Sequence, residues 1–318
     1  MYSVKTPTEN KFIKAKKVPK GFLSNRTREK LDGWLFVAPF VISVLVFFIG
    51  PLIAALILSF KEYSLLDQTT ILSAKNVGFD NYVKVFNDEV FRKALKNTFL
   101  YSLGVVPLQL TISLLLALVV DSKIKAKSFF RVAYYIPTLT SIVAVSVIFL
   151  FLFKADGILN KLLLIFGVNE RSWFDDPKFA LIAIIFMAVW SSVGVTMIIF
   201  LAALQEVPQT VYEAAEIDGA SKFQRFFKIT IPLIKPTIFF NLVMTVIGTL
   251  QMFDQAFVIS GGKGGPLDST MTVVLYLYNK GFKEFEMGYA SAVAFVLFAI
   301  IFTLTLIQKK LFKEEEAN

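Results

Sequence analysis

LQEVPQTVYEAAEIDGASKFQRFFKITIPLIKP, residues 204–236, is a polar interlude between two long apolar runs. Its residues do not read as a slack loop. Pro208 can open a helix, because the first helical position tolerates a missing N–H. From there to Asp218 the side chains accept a helix, with Ala214 and Ala215 at its middle. Gly219 offers the left-handed conformation that commonly ends one. Ser221 is placed to cap a second short helix over 221–229. Phe223, Phe226 and Phe227 recur there at i, i+3 and i+4, which makes one aromatic face. Pro232 and Pro236 close the unit. Helix, glycine turn, helix is the expected order.

The flanking runs decide the fold class. Stretches 34–60, 98–120, 133–153, 180–204, 237–259 and 287–307 are apolar. Each can cross a hydrocarbon core of about 30 Å, which takes roughly 20 helical residues. Prolines 39, 51, 107 and 137 fall inside them, which membrane helices tolerate where neighbours satisfy the freed carbonyls. The expectation is an all-α polytopic membrane protein with six transmembrane helices over 34–308. A basic cytoplasmic tail, 1–33, precedes them and a short tail, 309–318, follows. The run after the tail is too long for the apolar core of a signal peptide, roughly 7–15 residues. Hydrophobic residues make up 56% of the 318, and the mean hydropathy of +0.65 is well above soluble values.

Composition also removes chemistry. The chain has no cysteine and no histidine. Disulfides, thiolate metal sites, cysteine nucleophiles and histidine acid–base catalysis are therefore excluded. No catalytic residue, metal or cofactor is expected, and no carboxylate pair sits in a hydrolytic setting. The net charge of +9 reads as membrane orientation, and no nucleic acid is expected as a partner. With the N-terminus inside, that face carries 20 Lys and Arg against 13 on the other. The imbalance favours cytoplasmic termini and a cytoplasmic 204–236 loop.

Within that loop, Glu213-Ala214-Ala215, Asp218-Gly219-Ala220, Phe226, Ile231 and Pro232 resemble the EAA loop of the membrane subunits of binding-protein-dependent ABC importers. Further matches extend the resemblance to residues 34–308. They are Val77-Gly78-Phe79-Asp80-Asn81-Tyr82, Asn97-Thr98, Phe129-Phe130-Arg131, Leu201-Ala202-Ala203-Leu204, Phe253-Asp254-Gln255 and Met287-Gly288-Tyr289-Ala290. They are similar to the sugar-importing branch, in the short form of the glycerol-phosphate, lactose and multiple-sugar permeases. The resemblance implies that Glu213, Ala214, Ala215, Asp218, Gly219 and Ala220 form a coupling helix seated on an ATPase subunit. It implies four kinds of protein partner or ligand: a second homologous permease, two ATPase subunits, an extracytoplasmic solute-binding protein, and a sugar or oligosaccharide. The implied location is a bacterial cell membrane, in contact with lipid. Transport of glycerol phosphate or another non-sugar solute is the alternative.

Two stretches remain. Gly261-Gly262-Lys263-Gly264-Gly265-Pro266 lacks the GxxxxGK[ST] pattern and its strand-to-helix context, so a turn is expected. No Walker motif occurs elsewhere, so ATP hydrolysis belongs to another chain. In the fifth run, Asn241, Thr245, Gly248 and Gln251 recur at helical spacing, with Asp254 and Gln255 at its outer end. Lipid offers such a face no partner. It faces either a substrate path or other helices, with which it would hydrogen-bond. Tyr134, Tyr135 and Phe253 are candidates for stacking on sugars or for interfacial anchoring.

Overall fold

The structure, a computed structural model, describes residues 25–66, 70–122 and 126–316. The first 24 residues of the expected basic tail, and residues 317–318, lie outside the described residues. The chain divides into two compact units, residues 1–54 and 55–318.

In the first unit, α1 (Asn25–Val44) carries Pro39 and continues into a π-turn, Leu45–Ile49. The wide turn closes by a hydrogen bond from Gly50 N to Leu45 O and stands immediately before Pro51. A proline has no N–H and its ring strikes the preceding turn, so the regular ladder cannot pass through it. Trp34, Phe36 and Phe47 are exposed along this helix, as lipid-facing side chains are.

The second unit begins within α2 (Gly50–Ser59). A two-residue hairpin pairs β1 (Lys61–Glu62) antiparallel with β2 (Lys75–Asn76). Next come α3 (Asp80–Asn87) and the long α4 (Glu89–Asp121). Asp88 caps α4, its carboxylate accepting from Phe91 N at 2.9 Å. After α5 (Lys127–Leu139), α6 (Ile142–Leu152), α7 (Ile158–Ile165) and α8 (Ala180–Glu206), the chain enters the polar interlude. It forms α9 (Gln209–Ile217), α10 (Lys222–Arg225), a π-turn (Phe226–Thr230) and α11 (Ile231–Leu233). This π-turn, too, precedes a proline, Pro232. The chain ends with α12 (Lys235–Leu250), α13 (Asp254–Ser260), α14 (Val273–Tyr278) and α15 (Met287–Glu316).

Among the described residues, five helical stretches are long and apolar enough to span a membrane: Gly33–Ser59, Glu89–Asp121, Ala180–Glu206, Lys235–Ser260 and Met287–Phe312. A sixth is the pair α5 and α6, bent by 96°. The straight helix expected over 133–153 is therefore broken. Thr140 and Ser141 both adopt extended conformations between its arms. The fifth span is interrupted as well, since α12 stops at Leu250 and α13 starts at Asp254. Thr272 donates its hydroxyl to the Met252 carbonyl at 2.9 Å within this gap.

The centre of the unit is α8, with Ile184, Met187, Met197 and Phe200 almost wholly buried against its neighbours. Polar pairs tie α4 to the adjacent helices. Ser102 meets Thr249 at 2.8 Å, Gln109 donates to Thr196 Oγ1 at 2.8 Å, and Ser113 donates to Val193 O at 3.0 Å. Such interhelical bonds and small residues hold membrane bundles together where the hydrophobic effect between helices is weak. Gly194 supplies the small residue against α5. A β-carbon there would fall 2.2 Å from the Tyr134 carbonyl oxygen.

Candidate functional site

A cavity of about 500 Å³ lies between α4, α5, α8 and α12, within the 300–1,000 Å³ usual for small-molecule sites. Four of the expected path residues, Asn241, Thr245, Gly248 and Gln255, line it. Gln251 and Asp254 do not. The expected face assumed an unbroken helix, and the gap after Leu250 turns Gln251 and Asp254 away while Gln255 remains on the wall. Asn241 is 3% exposed, and its amide nitrogen has no hydrogen-bond partner among the described residues. A buried donor without an acceptor costs about 1–3 kcal/mol, and this nitrogen is itself shielded from the cavity.

The α4 and α5 parts of the opposite wall escaped the sequence reading. Tyr101, Val105 and Gln109 come from α4, Thr138 and Thr140 from α5 and its elbow, and Ser191, Ser192 and Thr196 from α8. Tyr101, Val105 and Gln109 stand at i, i+4 and i+8, one helical face. That periodicity was available, but nothing in it says which face of α4 meets a cavity. Phe240 adds an aromatic face. Tyr134, Tyr135 and Phe253 are not on the wall. Phe253 instead packs against Phe257 and Tyr278, with centroids 5.2 and 5.1 Å away.

The 204–236 loop folds as an interlocked pair of turns. α9 ends in a Schellman arrangement: Ala220 N donates to Ala215 O at 2.9 Å and Gly219 N to Glu216 O at 3.1 Å. Gly219 sits at φ +76°, a conformation that a side chain would strain. Ser221 and Gln224 cap α10 reciprocally. Arg225 pairs with Glu216 at 3.0 Å and Tyr212 meets Thr230 at 2.9 Å, fastening the second helix to the first. Glu213, Ala214, Asp218 and Gly219 are exposed, Ala220 is half-buried, and Ala215 is buried. Ala215 therefore shapes the loop from inside. Ile217 and Phe223 stand out at 87% and 72% exposure, and Phe223 and Phe226 both contact Phe227.

At the end of the molecule away from this loop, Asp88 anchors a small polar network. It accepts from the Tyr276 hydroxyl at 2.7 Å, and Tyr276 meets Tyr289 at 3.0 Å. Burial pushes the Asp88 carboxyl up. The Phe91 N–H, the Tyr276 hydroxyl, the Val90 N–H and the charge of Lys280 outweigh it and hold the group below its usual 3.8. The glycine-rich run forms a turn whose amides are used internally. Gly262 N bonds to Phe257 O at 2.8 Å and Gly264 N to Ser260 Oγ at 3.0 Å. Among the described residues no group of acidic side chains could hold a metal ion.

Known proteins share this architecture. The chain is 41% identical over 283 residues to the probable ABC transporter permease YesP of Bacillus subtilis, covering 88% of this chain and 90% of that one. It is 37% identical to the lactose transport system permease LacF of Rhizobium radiobacter, over 87% and 93% of the two chains. Its fold resembles a chain in the crystal structure of a bacterial alginate ABC transporter in complex with alginate pentasaccharide-bound periplasmic protein. There the TM-score is 0.74 at 24% identity, covering 89% of this chain and 94% of the other. Residues 109–314 match the family described as binding-protein-dependent transport system inner membrane component. Sequence, spans and fold agree, and the chain belongs to that family as a multi-pass transport permease subunit.

Proposed function

We propose that this chain is half of the translocation pathway of an ATP-driven importer for a sugar or oligosaccharide. A second homologous permease completes the pathway, two ATPase subunits dock on the 204–236 loop, and an extracytoplasmic binding protein delivers the substrate. Both termini lie in the cytoplasm. The observation that carries the reading is the cavity, where amide and hydroxyl groups, Asn241, Thr245 and Gln255 among them, share the wall with Phe240. Such a wall suits a ligand with hydroxyls along its edges and C–H groups on its faces. The lactose permease among the relatives points the same way.

The coupling reading rests on the exposed Glu213, Ala214 and Asp218 beside a turn that the Schellman bonds make rigid. ATP-driven closure of the ATPases moves this knob, and the helices above rock around the cavity. Transport in proteoliposomes holding the whole complex tests the proposal. Asn241→Leu and Gln255→Leu each remove groups that meet the sugar, at about 0.5–1.5 kcal/mol per lost hydrogen bond. Uptake of the transported sugar should fall while both permeases and the ATPases still copurify. Loss of assembly with normal transport by the complexes that remain would make the cavity wall a packing surface.

A further inference from the structure

The short helix α7 is built inside out. Its polar residue, Asn160, is 1% exposed. The Asn160 amide donates to the carbonyls of Lys154, Ala155 and Arg171 at 2.7, 3.1 and 2.7 Å, and its oxygen accepts from Trp173 Nε1 at 3.1 Å. Ile158, Leu162, Ile165 and, just past the helix end, Phe166 are 62%, 53%, 76% and 80% exposed. They recur at i, i+4, i+7 and i+8, the spacing of one apolar helical face. Lys161 shares the exposed side, and its stem is long enough to lift the ammonium clear of that face. The same polarity runs on from α6, where Val147, Ile148 and Phe151 are exposed.

α7 is held at the end of α8 away from the 204–236 loop. Trp173 N donates to Phe153 O at 3.3 Å, and the Trp173 ring meets Phe179, the residue before α8, at 5.6 Å. α8 has 27 residues, about 40 Å at 1.5 Å each, against a hydrocarbon core of about 30 Å. With α8 centred in the bilayer, its first turn and α7 beside it lie at headgroup level. Large apolar patches of this kind mark protein or membrane contacts. A delivery protein that comes and goes would leave the face in water between visits, whereas lipid covers it at all times. We infer that α7 is an interfacial anchor, its apolar face sunk about 5–10 Å into the headgroup–acyl boundary of the extracytoplasmic leaflet. Residues 154–171 carry three cations, Lys154, Lys161 and Arg171, against two anions, Asp156 and Glu170. Apolar insertion, and not charge, therefore supplies the attachment. α6 runs between this anchor and the elbow at Thr140 and Ser141, so the leaflet steadies one side of the cavity. Only the choice of leaflet depends on the topology proposed above.

The test is fluorescence quenching of Ile165→Cys, labelled with bimane, in the complex of both permeases and the ATPases, otherwise free of cysteine and held in lipid nanodiscs. Nanodiscs leave both faces open and carry nitroxide lipids in both leaflets, so the readout is independent of topology. A nitroxide near the glycerol backbone should quench the label about twofold more than one near the chain end. Aqueous iodide should quench it about fivefold less than the same label on Lys263→Cys, an exposed site. Adding phosphatidylglycerol to phosphatidylcholine discs should change neither ratio. If Ile165→Cys does not assemble, Leu162→Cys serves the same purpose. Four results would each overturn the inference. Iodide quenching equal to that of the Lys263→Cys label puts the face in water, and silence toward both quenchers puts it beneath another protein chain. Stronger quenching from the chain end makes α7 part of a deep span, and quenching that needs phosphatidylglycerol makes the attachment electrostatic.

Discussion

Gly194→Ala probes how the cavity wall is held in place. The added β-carbon would lie 2.2 Å from the Tyr134 carbonyl oxygen and 3.0 Å from Tyr135 Cα, where ordinary contact begins at 3.4 Å. These are backbone atoms, so no rotamer relieves the clash. α5 must withdraw from α8 by roughly 1 Å, and overpacking of this kind costs about 1–3 kcal/mol. Withdrawal also stretches the Thr138–Ser191 hydrogen bond, now 3.0 Å, and interhelical bonds in membranes average about 0.6 kcal/mol. A combined loss of roughly 2–3 kcal/mol lowers the correctly packed population on the order of 100-fold. Gly248→Ala is the control. No atom lies within 4 Å of a β-carbon there, and alanine is favoured over glycine in a helix by about 1 kcal/mol. Thermal unfolding midpoint and assembly yield of the purified complex should fall for Gly194→Ala and hold or rise for Gly248→Ala. The Gly248→Ala methyl group would narrow the cavity and slow uptake. A Gly194→Ala complex that unfolds and assembles like wild type would refute the close-approach argument.

Three further outcomes follow from the same geometry. Gly219→Val forces a β-branched residue into the left-handed region at about 1–2 kcal/mol. Uptake and ATPase copurification should be lost while the protein still reaches the membrane, and normal uptake would remove the turn from the coupling path. Lys222→Cys should react only with reagents that reach the cytoplasm and Lys263→Cys only with those outside, because the chain has no cysteine of its own; labelling of Lys222→Cys by an impermeant reagent in intact cells would reverse the topology. Asp88, held below its usual range, stabilises the fold above about pH 4, and that contribution fades as pH falls through its lowered value. A thermal-stability profile should therefore show an acid-side decline that Asp88→Asn blunts, and an unchanged slope in the variant would exclude this carboxylate as its source.

Local chemistry was the legible part of the sequence. Pro208, Gly219 and Ser221 state where helices begin and end because their signals are carried by single residues and their neighbours. The apolar runs likewise announce themselves by length. The breaks do not, because distant residues make them. Met252 leaves the helix where the Thr272 hydroxyl, 20 residues on, captures its carbonyl. α5 lies against α8 because Gly194, 60 residues past Tyr134, has no side chain. A helical wheel drawn through residues 241–255 therefore assigns Gln251 to a wall it does not reach. The role of Ser191, Ser192 and Thr196 on α8 was undecidable for a related reason, since Ser and Thr in a membrane helix serve packing and binding equally well.

The elbow between α5 and α6 has a consequence for hydration. The first intrahelical bond of α6 runs from Val145 N to Ser141 O at 3.0 Å. The amides of Ile142, Val143 and Ala144 precede it and have no helical acceptor. Hydrocarbon cannot solvate such groups; protein or water must. Thr140 and Ile142 border the cavity, so water there would be within reach of these amides. On the function proposed above, a sugar arriving there would trade its solvation shell for another set of oxygens, water leaving as hydroxyls take its place. Such an exchange would keep net affinity modest, which is what a conduit needs if cargo is to leave it as readily as it came.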